Sequence, residues 1–257
     1  MEVHHHSSHG NGEKKIKQYF IEFMMIFLAV SLGFLAESLR EHLSDRTKET
    51  EYIGSMINNL KTDTLKLDHV VDYYAGNIRD IDSFLVNFSL LEKGFNIKSF
   101  RGITQIQAGY IDFIYTDPTM QQLKTAGGMR YIRNLGAIDS MMDYDTRVKS
   151  ALINEGVLSR LYEEVHRQLR QLYKWQIVVP RLSGIKTPQQ AMPVIEALTK
   201  ENPDMLLTHD PARLGEFYNL IADYVKIQSL VRAEMKALKK QATRLIAYLR
   251  QTYHIKD

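Results

Sequence analysis

Two carboxylates bracket the least polar stretch of this chain. Glu22 and Glu37 stand on either side of FMMIFLAVSLGFLA, residues 23–36, a run of 14 residues without a charge. Carboxylates at the edges of an apolar helix have two uses. At an interface they reach water and headgroups and mark the ends of the segment. Inside an apolar medium each costs on the order of 3 kcal/mol, and such residues are kept for handling protons or ions, or for gripping a basic group on a neighbouring helix. The depth of both positions favours the first use. Glu22, Ala29, Gly33 and Glu37 recur at intervals of seven, four and four, so they share one small, polar helix face. Ala29-x-x-x-Gly33 lets a second helix approach closely. The opposite face, with Phe23, Met24, Phe27 and Phe34, suits lipid. The small face is therefore expected to contact another transmembrane helix, either a copy of itself or a partner.

A second polar group follows at once, Arg40-Glu41-His42. Glu37 and Arg40 are one turn apart and can pair locally. The sharper alternative is a membrane-edge site using Glu37, Glu41 and His42. Against a tight metal site there, Glu41 and His42 are adjacent and point apart on a helix. His4, His5, His6 and His9 are imidazoles that can ligate a divalent metal. A flexible polar tail offers no fixed geometry and no supporting shell, so weak adventitious binding is expected. The other histidines are scattered. No phosphate-binding Gly-rich loop, nucleophile elbow, HExxH or kinase motif set is present. The chain has no cysteine, which removes thiol catalysis and Cys-based metal sites. Neither enzymatic activity nor a cofactor is expected.

The element that carries the glutamates sets the class of protein. Extended back to Tyr19 the apolar segment has 18 residues, about 27 Å of helix, close to the thickness of a bilayer's hydrocarbon core. A cleaved signal peptide is a rival, but the one small-x-small site, Ser31-Leu32-Gly33, lies inside the apolar run. The segment reads as an uncleaved single-pass anchor. Lys14, Lys15 and Lys17 precede it; Arg40, Arg46 and Lys48, diluted by acids, follow it. This near tie leans towards a cytoplasmic N-terminus and an exported C-terminal domain. The absence of cysteine is compatible with an oxidising compartment.

The net charge of +3 is spread along mixed helices, without the basic stripe of a nucleic-acid binder. The last 30 residues are basic, which reads as a solvated helix face, with an anionic lipid or an acidic partner as the alternative. Residues 1–13 form a polar, His-rich tail expected to be disordered, residues 14–42 the anchor and its flanks, and residues 43–257 a helical bundle. No proline appears before Pro118, so the anchor can run straight into a long helix. Its expected buried stripe is Ile53, Ile57, Leu60, Thr64, Leu67, Val71, Tyr74, Ile78, Ile81, Leu85 and Phe88. A turn is expected at 91–100 and a second helix over about 99–115. Asp117-Pro118 should cap and open a short helix that ends at Gly127-Gly128. A further helix is expected over 135–178. Residues 180–211 hold five of the six prolines and should be irregular around one short helix opened by Thr187-Pro188. Asp210-Pro211 should open the last helix, with its stripe at Leu214, Phe217, Ile221, Tyr224, Gln228, Val231, Met235, Leu238, Ala242, Leu245 and Leu249. The fold class is all-α: one transmembrane helix continuing into an antiparallel bundle of about four main helices.

The opening MEVHHH and the segment KKIKQYFIEFMMIFLAVSLGFLAESLREH, residues 14–42, resemble a group of uncharacterised single-pass membrane proteins from Bacteroidetes. PTMQQLKTAGGMRYIRN, residues 118–134, is similar to a segment of a domain of unknown function found behind such anchors. The resemblance implies that the His-rich start is native. It also implies a Gram-negative envelope, with the anchor in the inner membrane and the bundle in the periplasm. It brings no established activity. The resulting expectation is a non-enzymatic scaffold, sensor or interaction protein, oligomeric or bound to another membrane protein through its anchor. The alternative is a subunit of an ion-conducting or proton-driven assembly that uses Glu22 and Glu37.

Overall fold

A chain free of proline up to residue 118 can stay helical for a long way, and this one does. In the computed structural model, which describes residues 11–89, 102–104, 106, 109–185 and 188–256, helix α1 spans Asn11–Val86, 76 residues, or roughly 110 Å. Residues 11–13, expected in a disordered tail, already belong to this helix. Glu49 is the first buried residue along it. The helix before Arg40, roughly 40 Å, projects from the bundle as an arm, and residues 40–48 flank the bundle. The arm is long and apolar enough to cross a membrane. Its most apolar window has a mean hydropathy of 2.1 and none of it is buried in the fold.

Helix α2 follows at Pro118–Thr125, then a 3-10 turn at Gly128–Tyr131 and helix α3 at Leu135–Leu172. Helices α4, Trp175–Leu182, and α5, Pro188–Glu201, form the far end. Helix α6, Pro211–Tyr253, returns the chain to the base of the arm. Among the described residues there is no strand, only an isolated bridge between Tyr173 and Leu206. The protein is all-α.

Side-chain contacts give the directions. Glu49 meets Tyr253, Asp68 meets Lys239, and Arg232 reaches the Val71 carbonyl, so α1 and α6 are antiparallel. Asp143 meets Gln241 and Asn154 meets Glu234, so α3 and α6 are antiparallel too. Helices α1 and α3 thus run parallel. The antiparallel element between them is an extended strap, residues 109–117, together with α2.

That strap lies where a second helix was expected. Of its described residues, 102–104 and 106 are helical, but 109–117 are not. Gly109 has φ +88, which breaks the helix, and side chains then take over the backbone hydrogen bonding. Tyr73 and Tyr224 donate to the Gly109 carbonyl at 3.1 and 3.3 Å. Tyr74 donates to the Ile111 carbonyl at 2.9 Å and Lys66 to the Ile114 carbonyl at 2.9 Å. The Phe113 and Thr116 amides donate to Glu155 Oε1 and Asp63 Oδ1, both at 2.9 Å. A buried backbone must be satisfied somewhere, and here the facing helices satisfy it. The expected turn at 91–100 lies outside the described residues.

The buried face of α1 also differs from the expected stripe. Ile53, Ile57, Leu60, Leu67, Val71, Tyr74 and Ile81 are buried, while Thr64, Ile78, Leu85 and Phe88 are half-buried. Two seams with unbroken heptad spacing run along this face: the expected one through Ile53, Leu60, Leu67, Tyr74 and Ile81, and a second through Met56, Asp63, Val70, Asn77 and Phe84. Helix α6 covers one flank of this face and the strap the other, so the face is wider than one stripe. On α6 all eleven expected positions are buried.

Three local expectations need correction. Asp117 does not cap α2 with its side chain; Oδ2 accepts from Gln121 Nε2 at 2.6 Å instead. The helix expected over 135–178 breaks at Tyr173, which is extended. There the Lys174 and Leu207 amides bond across to the Met205 and Leu172 carbonyls, a tertiary pairing that no local propensity announces. Pro180 sits inside a helix where the irregular stretch was expected to begin, while the one short helix expected after it is present as α5, with Pro193 inside it. The fixed φ of proline is compatible with a helix, and the cost is one lost backbone bond each.

Candidate functional site

Two neighbouring parts of the molecule combine exposure with polar chemistry: the arm, and the cleft where it enters the bundle. Glu22, Ala29, Gly33 and Glu37 are all exposed along the arm, and a Cβ built on Gly33 would meet nothing within 4 Å. Glu37 accepts a forked pair of hydrogen bonds from Arg40, 2.5 Å from Nη2 and 2.9 Å from Nε. His4, His5, His6 and His9 lie outside the described residues.

Arg40, Glu41 and His42 do not stay together. His42 turns to Arg133, whose Nη2 lies 3.2 Å from Nδ1. Arg40 and Glu41 join Ser44, Asp45 and Lys48 along one wall of an open cleft of about 540 Å³. The opposite wall is Arg130 and Tyr131, from the 3-10 turn. That turn is placed by backbone constraints. Gly127 ends α2 in the left-handed region at φ +67. Gly128 packs where a Cβ would come within 3.1 Å of the Leu123 backbone and 3.2 Å of Tyr52. Ile132 is buried behind the turn, and the Tyr131 ring stacks on Tyr52 with centroids 6.3 Å apart.

Tyr131 carries the chemistry of this cleft. Arg130 Nη2 donates to its hydroxyl at 2.7 Å and Lys48 Nζ approaches at 3.4 Å. The same two cations lie over its ring, 4.8 and 4.6 Å from the centroid. The Arg130 bond, and then the Lys48 one, hold the phenol below the usual tyrosine range. Neither cation is among the ion pairs found within 4 Å for the described residues. The hydroxyl accepts from both and keeps its own proton to donate. The arrangement can receive a negatively charged oxygen.

A buried carboxylate braces this wall from behind. Glu49 Oε1 accepts from the Arg133 amide at 2.7 Å and from the Tyr253 hydroxyl at 3.0 Å. It ties the base of α1 to the start of α3 and the end of α6. Glu49→Ala should cost about 1 kcal/mol, because the Arg133 amide and the Tyr253 phenol, both in half-buried bonds, lose their acceptor. Hydrogen exchange should then speed up at Tyr131 to Arg133; unchanged protection there would count against the brace.

Elsewhere a polar layer crosses the core. Tyr144 donates to Asp63 Oδ2 at 2.9 Å, and Lys124 and Lys149 pair with Asp145. Among the described residues no three His, Asp or Glu side chains converge as metal ligands would. Trp175 Nε1 donates to the Leu169 carbonyl at 3.3 Å, which makes it part of the closure of the far end of the bundle.

Sequence reasoning singled out Arg40, Glu41 and His42 but missed Lys48, Arg130 and Tyr131 as their neighbours. Arg130 is 82 residues from Lys48, and only the return of the chain along α1 brings them together. Glu49 and Asp63 were missed for a different reason. Reading the α1 heptad through the alternative register would have placed both in the buried seam.

The class defined by these features is an all-α bundle whose first helix extends into an exposed apolar arm. Comparison with protein-family models, curated proteins and solved structures finds no match for the chain.

Proposed function

We propose that this chain is a membrane-anchored scaffold or sensor of the bacterial envelope that works by contact rather than catalysis. The arm of α1 crosses the inner membrane, with the N-terminus in the cytoplasm and the bundle in the periplasm. The observation that carries this reading is continuity. One helix runs without interruption from the exposed apolar arm into the buried seam of the bundle. A flexible tether would leave the domain's orientation free, whereas a continuous helix couples a change of tilt or partner in the membrane to the bundle. The resemblance of residues 14–42 to Bacteroidetes anchors supports the envelope assignment. The bidentate Glu37–Arg40 pair gives that carboxylate a local partner, so a proton-driven assembly gains no support from it.

The partner is expected on the face of Ala29 and Gly33. A photoreactive residue at Ala29 or Gly33 in native membranes should crosslink to a second helix, and one at Phe27 should not. A self-crosslink makes the protein a homo-oligomer, and a crosslink to another chain names its partner. The contact face is abandoned if neither small position crosslinks.

A further inference from the structure

We propose that the cleft between α1 and the 3-10 turn binds the headgroup of a phospholipid that carries a primary ammonium beside its phosphate. The proposal rests on the membrane reading of the arm and adds to it a ligand. Four observations support it.

The first is the pair of cations. Lys48 and Arg130 converge on the Tyr131 hydroxyl, and among the described residues neither is in an ion pair with a carboxylate, leaving a donor set of ammonium, guanidinium and phenol. Such a set suits phosphate oxygens, which take charge-assisted hydrogen bonds from several directions. The second is the pair of carboxylates. Glu41 and Asp45 line the same cleft beside Arg40, so its wall carries both signs, and a purely anionic ligand would use only one of them. An ammonium next to the phosphate satisfies the carboxylates.

The third is position. Leu39 and Leu43 remain 62% and 59% exposed on α1, so apolar surface continues past Glu37 to the level of the cleft. With Glu37 at the edge of the hydrocarbon layer, Arg40 to Lys48 follow over about 5–17 Å of helix, so the membrane-side end of the cleft reaches the headgroup layer. The Lys48 side chain, like all helical side chains, leans towards its helix's N-terminal end, which here is the membrane. Zwitterionic headgroups lie close to the membrane plane, so their two charges meet opposite signs side by side. The fourth is size: about 540 Å³ is within the range of small-ligand sites. The bound headgroup would fix the height and rotation of α1 against the bilayer.

The test uses full-length protein in detergent micelles, titrated with phosphatidylethanolamine, phosphatidylglycerol or phosphatidylcholine of identical acyl chains and read by native mass spectrometry. Phosphatidylethanolamine should bind about tenfold tighter than phosphatidylcholine, whose quaternary ammonium has no N–H to donate. Lys48→Ala and Arg130→Ala should each weaken it about fivefold. Lys226→Ala, which removes the same charge from an exposed position on α6, should change nothing. Glu41→Gln with Asp45→Asn should reverse the preference towards phosphatidylglycerol, a signature that loss of folding does not produce. Equal binding of phosphatidylethanolamine and phosphatidylcholine overturns the proposal, as does a wild-type preference for phosphatidylglycerol. Soluble phosphoethanolamine carries the same head without a membrane; competition at the lipid's own molar concentration would make the ligand a free one and end the lipid assignment. Flotation with pure phosphatidylcholine vesicles reports the anchor separately. Failure to float removes the membrane reading, while flotation without a lipid preference removes the headgroup alone.

Discussion

Replacing Glu155 with glutamine should stabilise the protein at pH 8 by about 3 kcal/mol and flatten its stability between pH 4.5 and 7. Glu155 is only 4% exposed, and burial pushes its carboxyl from 4.5 up to about 7, with Asp112 and Glu234 adding to the rise. The amide of Phe113 pulls the other way but does not win. A carboxyl whose folded pKa is raised binds its proton more tightly in the native state. Stability is therefore fully present below the unfolded value, falls as pH rises from 4.5 to about 7, and stays low above that. Glutamine mimics the protonated acid: its carbonyl still accepts from Phe113, and it has no charge to bury. The wild type and the variant should coincide near pH 4 and diverge towards pH 8. Unfolding of full-length protein in micelles, followed by the single tryptophan, Trp175, measures this. Parallel pH profiles for the two proteins would refute it.

Asp63 should give the opposite outcome when it is truncated. Asp63→Ala is expected to destabilise by about 3 kcal/mol, because it orphans two donors at once, the buried Tyr144 hydroxyl and the half-buried Thr116 amide. Burial raises this carboxyl above the usual aspartate range despite its hydrogen bonds and the nearby Lys66. Its worth is thus as an acceptor rather than as a charge. Asp63→Asn keeps an oxygen for Thr116, and the tyrosine hydroxyl can turn to accept from the new amide. That variant should cost about 1 kcal/mol. Asp63→Ala should also free the strap locally, with faster hydrogen exchange at Thr116. Equal losses for alanine and asparagine would show that the hydrogen bonds are not what matters.

Together these two residues explain why the bundle has an extended strap where a second helix was expected. The stripe of α6 was legible because it packs along its length with a single period, and burial follows the period. The helix starts at Pro118, Pro188 and Pro211 and the left-handed stop at Gly127 were legible for a related reason: caps and glycines act through their own neighbours in sequence. The strap was not. After the break at Gly109, residues 110–116 have no local rule that makes them extended; they are held so because Tyr73, Tyr74, Asp63 and Glu155, far away in sequence, take the strap's backbone groups. The break at Tyr173 has the same origin, in pairing with Leu206.

The candidate site divides along the same line. Arg40, Glu41 and His42 could be named from their place beside the apolar run. That Glu41 and His42 point apart followed from their adjacency on a helix; the contact of His42 with Arg133, and the arrival of Arg130 and Tyr131 opposite Lys48, depend on where the 3-10 turn docks. By itself the sequence determined the all-α class, the long first helix, its apolar arm and the seam of the last helix, because hydrophobic period and chain-breaking residues are local. Tertiary structure alone decided the strap, the buried carboxylates and the cleft, because each is made by groups that meet only after the chain has turned back on itself.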